Sequence, residues 1–213
     1  MTNTIYIVRH GQTEWNLLGK TQGHGNSDLT PKGIEQAELL ADNMTKYPID
    51  YIYSSDLGRA YQTAEIIGNK LNIEVEKTEA LREMNFGTWE GRIIKDIIEE
   101  DPELYKMWRN EPHLAKIPQG ETLSQIKERT DAFIKEINEK YDGKHIVLVT
   151  HSLCARIMLL SFLDSDVKNI YRINQANTAL NIIELRDYGP VVMKMNDTTH
   201  IINDTKLENS ALE

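Results

Sequence analysis

Apolar residues along this chain recur with two periods. Short continuous runs at 5–8 (Ile-Tyr-Ile-Val), 51–53 (Tyr-Ile-Tyr), 73–75 (Ile-Glu-Val) and 146–149 (Ile-Val-Leu-Val) read as buried strands. Between them, apolar positions fall three or four residues apart. Ile34, Ala37, Ala41 and Met44 mark one helix face, with Thr30-Pro31 as its start signal. Leu57, Ala60, Ala64, Ile67 and Leu71 mark a second, with Ser54-Ser55-Asp56 as candidate caps. Leu123, Ile126, Phe133, Ile137 and Tyr141 mark a third, opened by the capping-box pattern Thr122-x-x-Gln125. Residues 153–163 read as a fourth helix, and 178–185 and 191–195 as strands around Gly189-Pro190. The stretch 81–120 breaks the pattern with Gly87, Gly91, Pro102, Pro112 and Pro118; it predicts short helices and an insertion at about 84–120 over the sheet.

Alternating strands and helices predict an α/β fold: a three-layer sandwich with a largely parallel sheet, an antiparallel edge and helices on both faces. We find no repeat or linker, so residues 1–203 are expected to form one catalytic domain and 204–213 a polar, mobile tail. Ligands of such sheets sit at the carboxyl ends of the strands. Three predicted strands end alike: the first runs into Arg9-His10-Gly11, the second into the turn before Arg59, the fourth into Thr150-His151. Two histidines and two arginines therefore share one end of one sheet.

Charge narrows the partners. The 213 residues carry 24 Lys+Arg against 33 Asp+Glu, a net charge of −9. That argues against nucleic acid or an anionic membrane surface as partner, but leaves room for a local basic pocket. The single cysteine, Cys154, excludes an intramolecular disulfide and a Cys-based zinc site, and is expected to be a buried helix residue behind the site. The most apolar stretch, 157–163, is too short to span a bilayer, and the first residues lack a signal-like apolar segment. A cytoplasmic setting is the resulting expectation.

The clustered residue types suit phosphoryl chemistry. Guanidinium forks from Arg9 and Arg59 match phosphate oxygens. A neutral imidazole can attack phosphorus. One of His10 and His151 could do so while the other donates a hydrogen bond. An alcohol leaving group needs a proton, and Glu83 is the candidate donor, because a nearby phosphate anion disfavours its carboxylate form.

The string Ile7-Val8-Arg9-His10-Gly11-Gln12-Thr13-Glu14-Trp15-Asn16 closely resembles the opening signature of the histidine phosphatase superfamily, the phosphoglycerate-mutase-like family. The resemblance continues through Gln22-Gly23, Asp28-Leu29-Thr30-Pro31-Lys32-Gly33 and Tyr53-Ser54-Ser55-Asp56-Leu57-Gly58-Arg59-Ala60. It recurs in Glu83, Phe86-Gly87-Thr88-Trp89-Glu90-Gly91, Gly120-Glu121 and Val149-Thr150-His151. The blocks keep family order over about residues 5–185. The resemblance implies His10 as the nucleophile that becomes phosphohistidine, and Arg9, Arg59 and His151 as the phosphate pocket. It further implies Asn16 as a phosphate ligand, Glu83 as proton donor and later base, and Gln22 and Gly23 on the substrate side. No metal or organic cofactor is implied. Ser152 stands where the family often has Gly; its N–H and hydroxyl remain available to an anion.

Within the family, Phe86-Gly87-Thr88-Trp89-Glu90-Gly91 and Trp108…Pro112-His113-Leu114 look like the broad-specificity phosphatase branch. A cofactor-dependent phosphoglycerate mutase is the alternative. Residues 95–119 hold Lys95, Lys106, Arg109 and Lys116 but lack the paired arginines that such mutases use on a substrate carboxylate. The expected partner is a small phosphorylated metabolite; a homodimer is one option for the oligomeric state. Two readings from other classes compete: a metal hydrolase with His10 and His151 as ligands, unsupported by any His-x-His or His-Glu-x-x-His spacing, and a silent phosphate-binding relative. Plainer readings also exist. Arg59 could pair with Asp56, and Glu83 with Arg82. His24, His113, His145 and His200 read as structural or exposed, with His24 and His113 able to border the pocket.

Overall fold

The computed structural model describes residues 2–201; the tail expected at 204–213 lies outside them. Among the described residues, six strands form one sheet: β1 (Asn3–Arg9), β2 (Tyr51–Ser55), β3 (Val75–Thr78), β4 (His145–Thr150), β5 (Leu180–Arg186) and β6 (Gly189–Asp197). Their order is β3-β2-β4-β1-β5-β6. The first four are parallel; β5 runs antiparallel to β1, and β6 antiparallel to β5. The expected largely parallel sheet with an antiparallel edge is what the chain builds.

The continuous apolar runs follow from burial on both faces. After β1 the chain makes a single-turn helix, α1 (Glu14–Leu17). From β1 and β4, Tyr6, Val8, Val147 and Val149 point to one face and pack on Leu40, Ala41 and Met44 of α2 (Pro31–Met44) and Ala60, Ala64 and Ile67 of α3 (Gly58–Leu71). Ile5, Ile7, Ile146 and Leu148 point to the other. They pack on Ile126, Phe133 and Ile137 of α6 (Leu123–Lys140) and Leu153, Ile157 and Met158 of α7 (Ser152–Phe162). The short helices α4 (Ile94–Glu100) and α5 (Pro102–Asn110) lie between β3 and α6. They join that second core through Ile97 and Trp108, beside Trp89 of the 3-10 turn Gly87–Trp89.

Capping signals were accurate where a side chain closes the helix. Thr30 Oγ1 accepts the Gly33 N–H at 2.9 Å with Pro31 in the first turn. Thr122 and Gln125 form a reciprocal capping box. Two expectations are corrected. Ser54 and Ser55 belong to β2, and α3 starts later, capped by Leu57 without a side-chain bond. The third strand is Val75–Thr78 and not 73–75. Asn72, in the left-handed region at φ 56°, ends α3, and the Ile73 N–H turns back to the Gly68 carbonyl. Ile73 is therefore used in the turn.

Candidate active site

Parallel pairing of β1 with β4 puts Arg9 opposite Thr150, so His10 and His151 leave adjacent strands side by side. The His10 N–H donates to the Thr150 carbonyl at 3.0 Å. The two imidazoles stand edge to face, with ring centroids 5.1 Å apart and planes at 60°. β2 flanks β4 on its other side and delivers Arg59 in the first turn of α3. Arg9, His10, Arg59, Glu83, His151 and Ser152 are each at most 2% exposed, as is Gln22. Gly11 lets this turn approach α2: a Cβ there would sit 2.3 Å from the Gly33 carbonyl oxygen.

Each arginine is aimed by main chain. Arg9 Nη1 donates to the Gln175 carbonyl at 2.7 Å. Arg59 Nη1 and Nη2 donate to the Gly25 and Gly23 carbonyls at 2.9 and 2.7 Å. Gly23 can present its carbonyl there because it adopts φ +51°, and a Cβ would lie 2.1 Å from Glu90 Oε1. Asp56, offered by the sequence as a partner for Arg59, binds Arg82, whose Nε donates to Oδ1 at 2.7 Å.

The protonation states follow from the neighbours. His10 Nδ1 lies 2.7 Å from the Gly11 carbonyl, which can only accept, so Nδ1 carries the proton and Nε2 keeps its lone pair. Burial, then the Arg59 and Arg9 guanidiniums, hold the His10 pKa well below its ordinary value. Burial, then Arg59, His10, Arg129 and Arg9, do the same for His151. Both rings are neutral near pH 7. Burial pushes the Cys154 thiol up to about 11, so it is not a thiolate competitor.

Glu83 is reached from three N–H groups. Oε1 accepts from Met84 at 2.9 Å and Cys154 at 3.3 Å, and Oε2 accepts from Leu153 at 3.2 Å. The last two belong to the first turn of α7, where free N–H groups and the helix dipole favour an anion. Arg129 of α6 clamps the segment from behind. It donates to the carbonyls of Ala80, Arg82 and Glu83 at 2.7, 2.7 and 3.2 Å, and to Glu121.

The remaining expected residues divide. Both amide atoms of buried Gln22 and the Ser152 hydroxyl make no protein hydrogen bond among the described residues. Asn16 is absorbed in a cap: its Oδ1 accepts from Thr13 N at 3.1 Å, and the Asn177 amide reaches it at 3.5 Å. His24 does border the cluster, its Nε2 donating to the Glu83 carbonyl at 3.0 Å. His113 lies beside Glu111, 3.7 Å away. His145 bonds Tyr6 OH, and His200 bonds Thr178.

Sequence reading missed the 175–178 segment. Asn177 Nδ2 and the Thr178 N–H both donate to the His10 carbonyl, at 3.0 and 3.3 Å. Thr178 does so at φ 54°, an uncommon conformation for a β-branched residue. The signal lay in topology: an antiparallel neighbour of β1 begins where β1 ends, so residues before β5 reach the site.

The three histidines held neutral link stability to pH. Their pKa values lie below the unfolded value of about 6.5, His200 at about 4 through burial. Between the folded and unfolded values the unfolded chain binds more protons, so stability rises with pH there and falls as pH drops below about 6.5. Each histidine contributes a slope of up to about 1.4 kcal/mol per pH unit. The urea midpoint is expected to drop steadily from pH 7 to pH 5, less steeply in His200→Gln. A flat midpoint over that range would contradict the buried neutral rings.

The family model described as histidine phosphatase superfamily (branch 1) matches residues 5–198. The chain is 32% identical over 197 residues to phosphoserine phosphatase 1 of Hydrogenobacter thermophilus, covering 92% of this chain and 93% of the relative. It is also 32% identical to the probable phosphoglycerate mutase GpmB of Yersinia pestis, over 92% of this chain and 94% of that one. Among solved structures, a mutant phosphoserine phosphatase of Entamoeba histolytica in complex with phosphoserine superposes with a TM-score of 0.85. It is 30% identical and covers 94% of this chain and 100% of its own.

Proposed function

This chain belongs to the histidine phosphatase superfamily, branch 1, and from that premise we propose that it is a phosphomonoester hydrolase. It acts on small phosphorylated metabolites through a phosphohistidine at His10. One observation carries the reading: a neutral His10, its Nδ1 proton committed to the Gly11 carbonyl, stands beside a second neutral imidazole within the field of two buried guanidiniums.

The substrate phosphoryl group binds between Arg9 and Arg59, with His151, Asn16, Gln22 and the α7 N-terminus supplying further contacts. His10 Nε2 gives its lone pair to phosphorus as the P–O bond to the alcohol breaks. The leaving oxygen takes that bond's electron pair and a proton from Glu83. The Gly11 carbonyl stabilises the ring as it becomes cationic. Water then attacks the phosphohistidine, Glu83 takes its proton, and the P–N pair returns to Nε2.

Hydrolysis is favoured over mutase chemistry by the insertion. A mutase must retain a bisphosphorylated intermediate while it reorients, which requires extra positive charge. In α4 and α5 the cations Lys95, Lys106 and Arg109 are outnumbered by Asp96, Glu99, Glu100 and Glu103. Among the described residues, no trio of His, Cys, Asp or Glu is placed to hold a metal ion. The test is a turnover panel of phosphorylated metabolites, phosphoserine and 3-phosphoglycerate included, with and without 2,3-bisphosphoglycerate and with EDTA. Phosphate release insensitive to the chelator is expected. Interconversion of 3- and 2-phosphoglycerate with little phosphate release would establish the mutase, and a chelator-dependent loss restored by one metal would establish a metal hydrolase.

A further inference from the structure

His151 makes one hydrogen bond through its ring: Nε2 lies 2.9 Å from Ser55 Oγ. Its other nitrogen, Nδ1, is buried without a protein partner among the described residues. A neutral imidazole carries one proton, and which nitrogen holds it decides whether the ring offers the pocket a donor or a lone pair. Ser55 decides this. Its oxygen already accepts the Leu57 N–H, at 3.3 Å, and that group cannot accept in return. Ser55 is fully buried at the end of β2. Among the described residues, its hydroxyl proton has only His151 Nε2 as acceptor.

The two arrangements differ in what they leave unsatisfied. With the proton on Nδ1, Ser55 donates to Nε2, and the one orphan is the Nδ1–H. With the proton on Nε2, both the Ser55 hydroxyl proton and the Nδ1 lone pair are orphaned in a buried place. The surroundings select in the same sense. Arg59, Arg9, Arg129 and His10 are the groups that act electrostatically on this ring. A site with those three guanidiniums collects an anion, and an anion meets an N–H well and a lone pair badly.

We infer that Ser55 is a positioning residue that holds neutral His151 in the Nδ1–H tautomer, so that Nδ1 is the donor to the phosphoryl oxygens. The two active-site histidines are thereby locked in the same Nδ1–H tautomer but tethered through opposite ring atoms: a carbonyl takes the His10 Nδ1 proton and leaves its Nε2 lone pair for phosphorus, and a hydroxyl takes the His151 Nε2 lone pair and leaves its Nδ1–H as a donor. Isolated histidine prefers its proton on Nε2, so Ser55 works against the intrinsic preference. The donor role rests on the phosphatase reading; the tautomer does not.

The test is long-range ¹H–¹⁵N correlation of the ring nitrogens in labelled protein at pH 7.5, with His151 assigned by difference from a His151→Asn variant. Wild type is expected to show Nε2 unprotonated and Nδ1 protonated, with inorganic phosphate shifting the Nδ1–H signal downfield. Ser55→Ala should move the proton toward Nε2, blunt that response and lower kcat on an aryl phosphate by up to about 10²–10³-fold, the scale for loss of one oxyanion donor. Ser55→Thr, which keeps the hydroxyl, should restore both. A proton on Nε2 in wild type overturns the inference even if Ser55→Ala does not fold. So does a Ser55→Ala protein with unchanged tautomer and phosphate response. A protein with the Nδ1–H tautomer that hydrolyses no monoester would sink the phosphatase reading alone.

Discussion

His10→Ala should lose roughly 10⁴-fold or more in turnover, the scale seen when a covalent nucleophile is removed. The loss should lie in chemistry and not in folding. Main chain holds this position: the His10 N–H bonds Thr150, and its carbonyl takes Asn177 and Thr178. None of those contacts needs the imidazole. Inorganic phosphate should still bind, because Arg9 and Arg59 are aimed by the carbonyls of Gln175, Gly23 and Gly25. Rapid quenching of wild type with ³²P-labelled substrate should trap an acid-labile, alkali-stable label on His10. Label on His151, or a burst retained in His10→Ala, would reverse the assignment of the two histidines. Burial and charge alone do not separate them, since both are buried and neutral; the tethers do, because the Gly11 carbonyl holds the His10 Nδ1 proton and leaves the Nε2 lone pair for attack, whereas Ser55 engages the Nε2 of His151.

The sheet and its two faces were legible because their causes are local. Residues 5–8 and 146–149 are apolar at every position, which only two-sided burial explains, and the helix faces repeat at helical spacing. His10, Arg59 and His151 were legible because parallel strands end where ligands bind. Two kinds of feature were not. The start of α3 depends on Ser54 and Ser55 continuing β2 rather than capping, a choice made by pairing with β3 and β4. The 175–178 segment reaches His10 only because β5 is antiparallel, and no local pattern marks Asn177 as a neighbour of residue 10. Arg129 is similar: its position on α6 reads as surface, yet its guanidinium holds three carbonyls of the Glu83 segment.

Removing the Glu83 carboxyl should cost about 10²–10⁴ in rate, the usual range for general acid–base catalysis. The loss should depend on the leaving group. An alkyl phosphate departs as a basic alkoxide and needs the proton, so Glu83→Gln should phosphorylate His10 slowly. A p-nitrophenyl ester departs as a stable phenolate, so its first step should be nearly spared. Hydrolysis of the phosphoenzyme then needs the base and should be slow for both. The structure adds a control. The three N–H groups on Glu83, from Met84, Leu153 and Cys154, suit a carboxylate with two acceptor oxygens. Glutamine has one acceptor, and its NH₂ would face an N–H donor. A loss of stability on the order of 1–3 kcal/mol, the cost of a buried group left unpaired, should therefore accompany the substitution and lower Tm. Such a fall lowers both substrates alike, whereas loss of the proton donor separates them. Single-turnover rates of both substrates in wild type and Glu83→Gln make the comparison. Equal loss of the phosphorylation step would mean that Glu83 holds the α7 N-terminus in place without donating a proton, and Glu14 and Glu90 would be the next candidates.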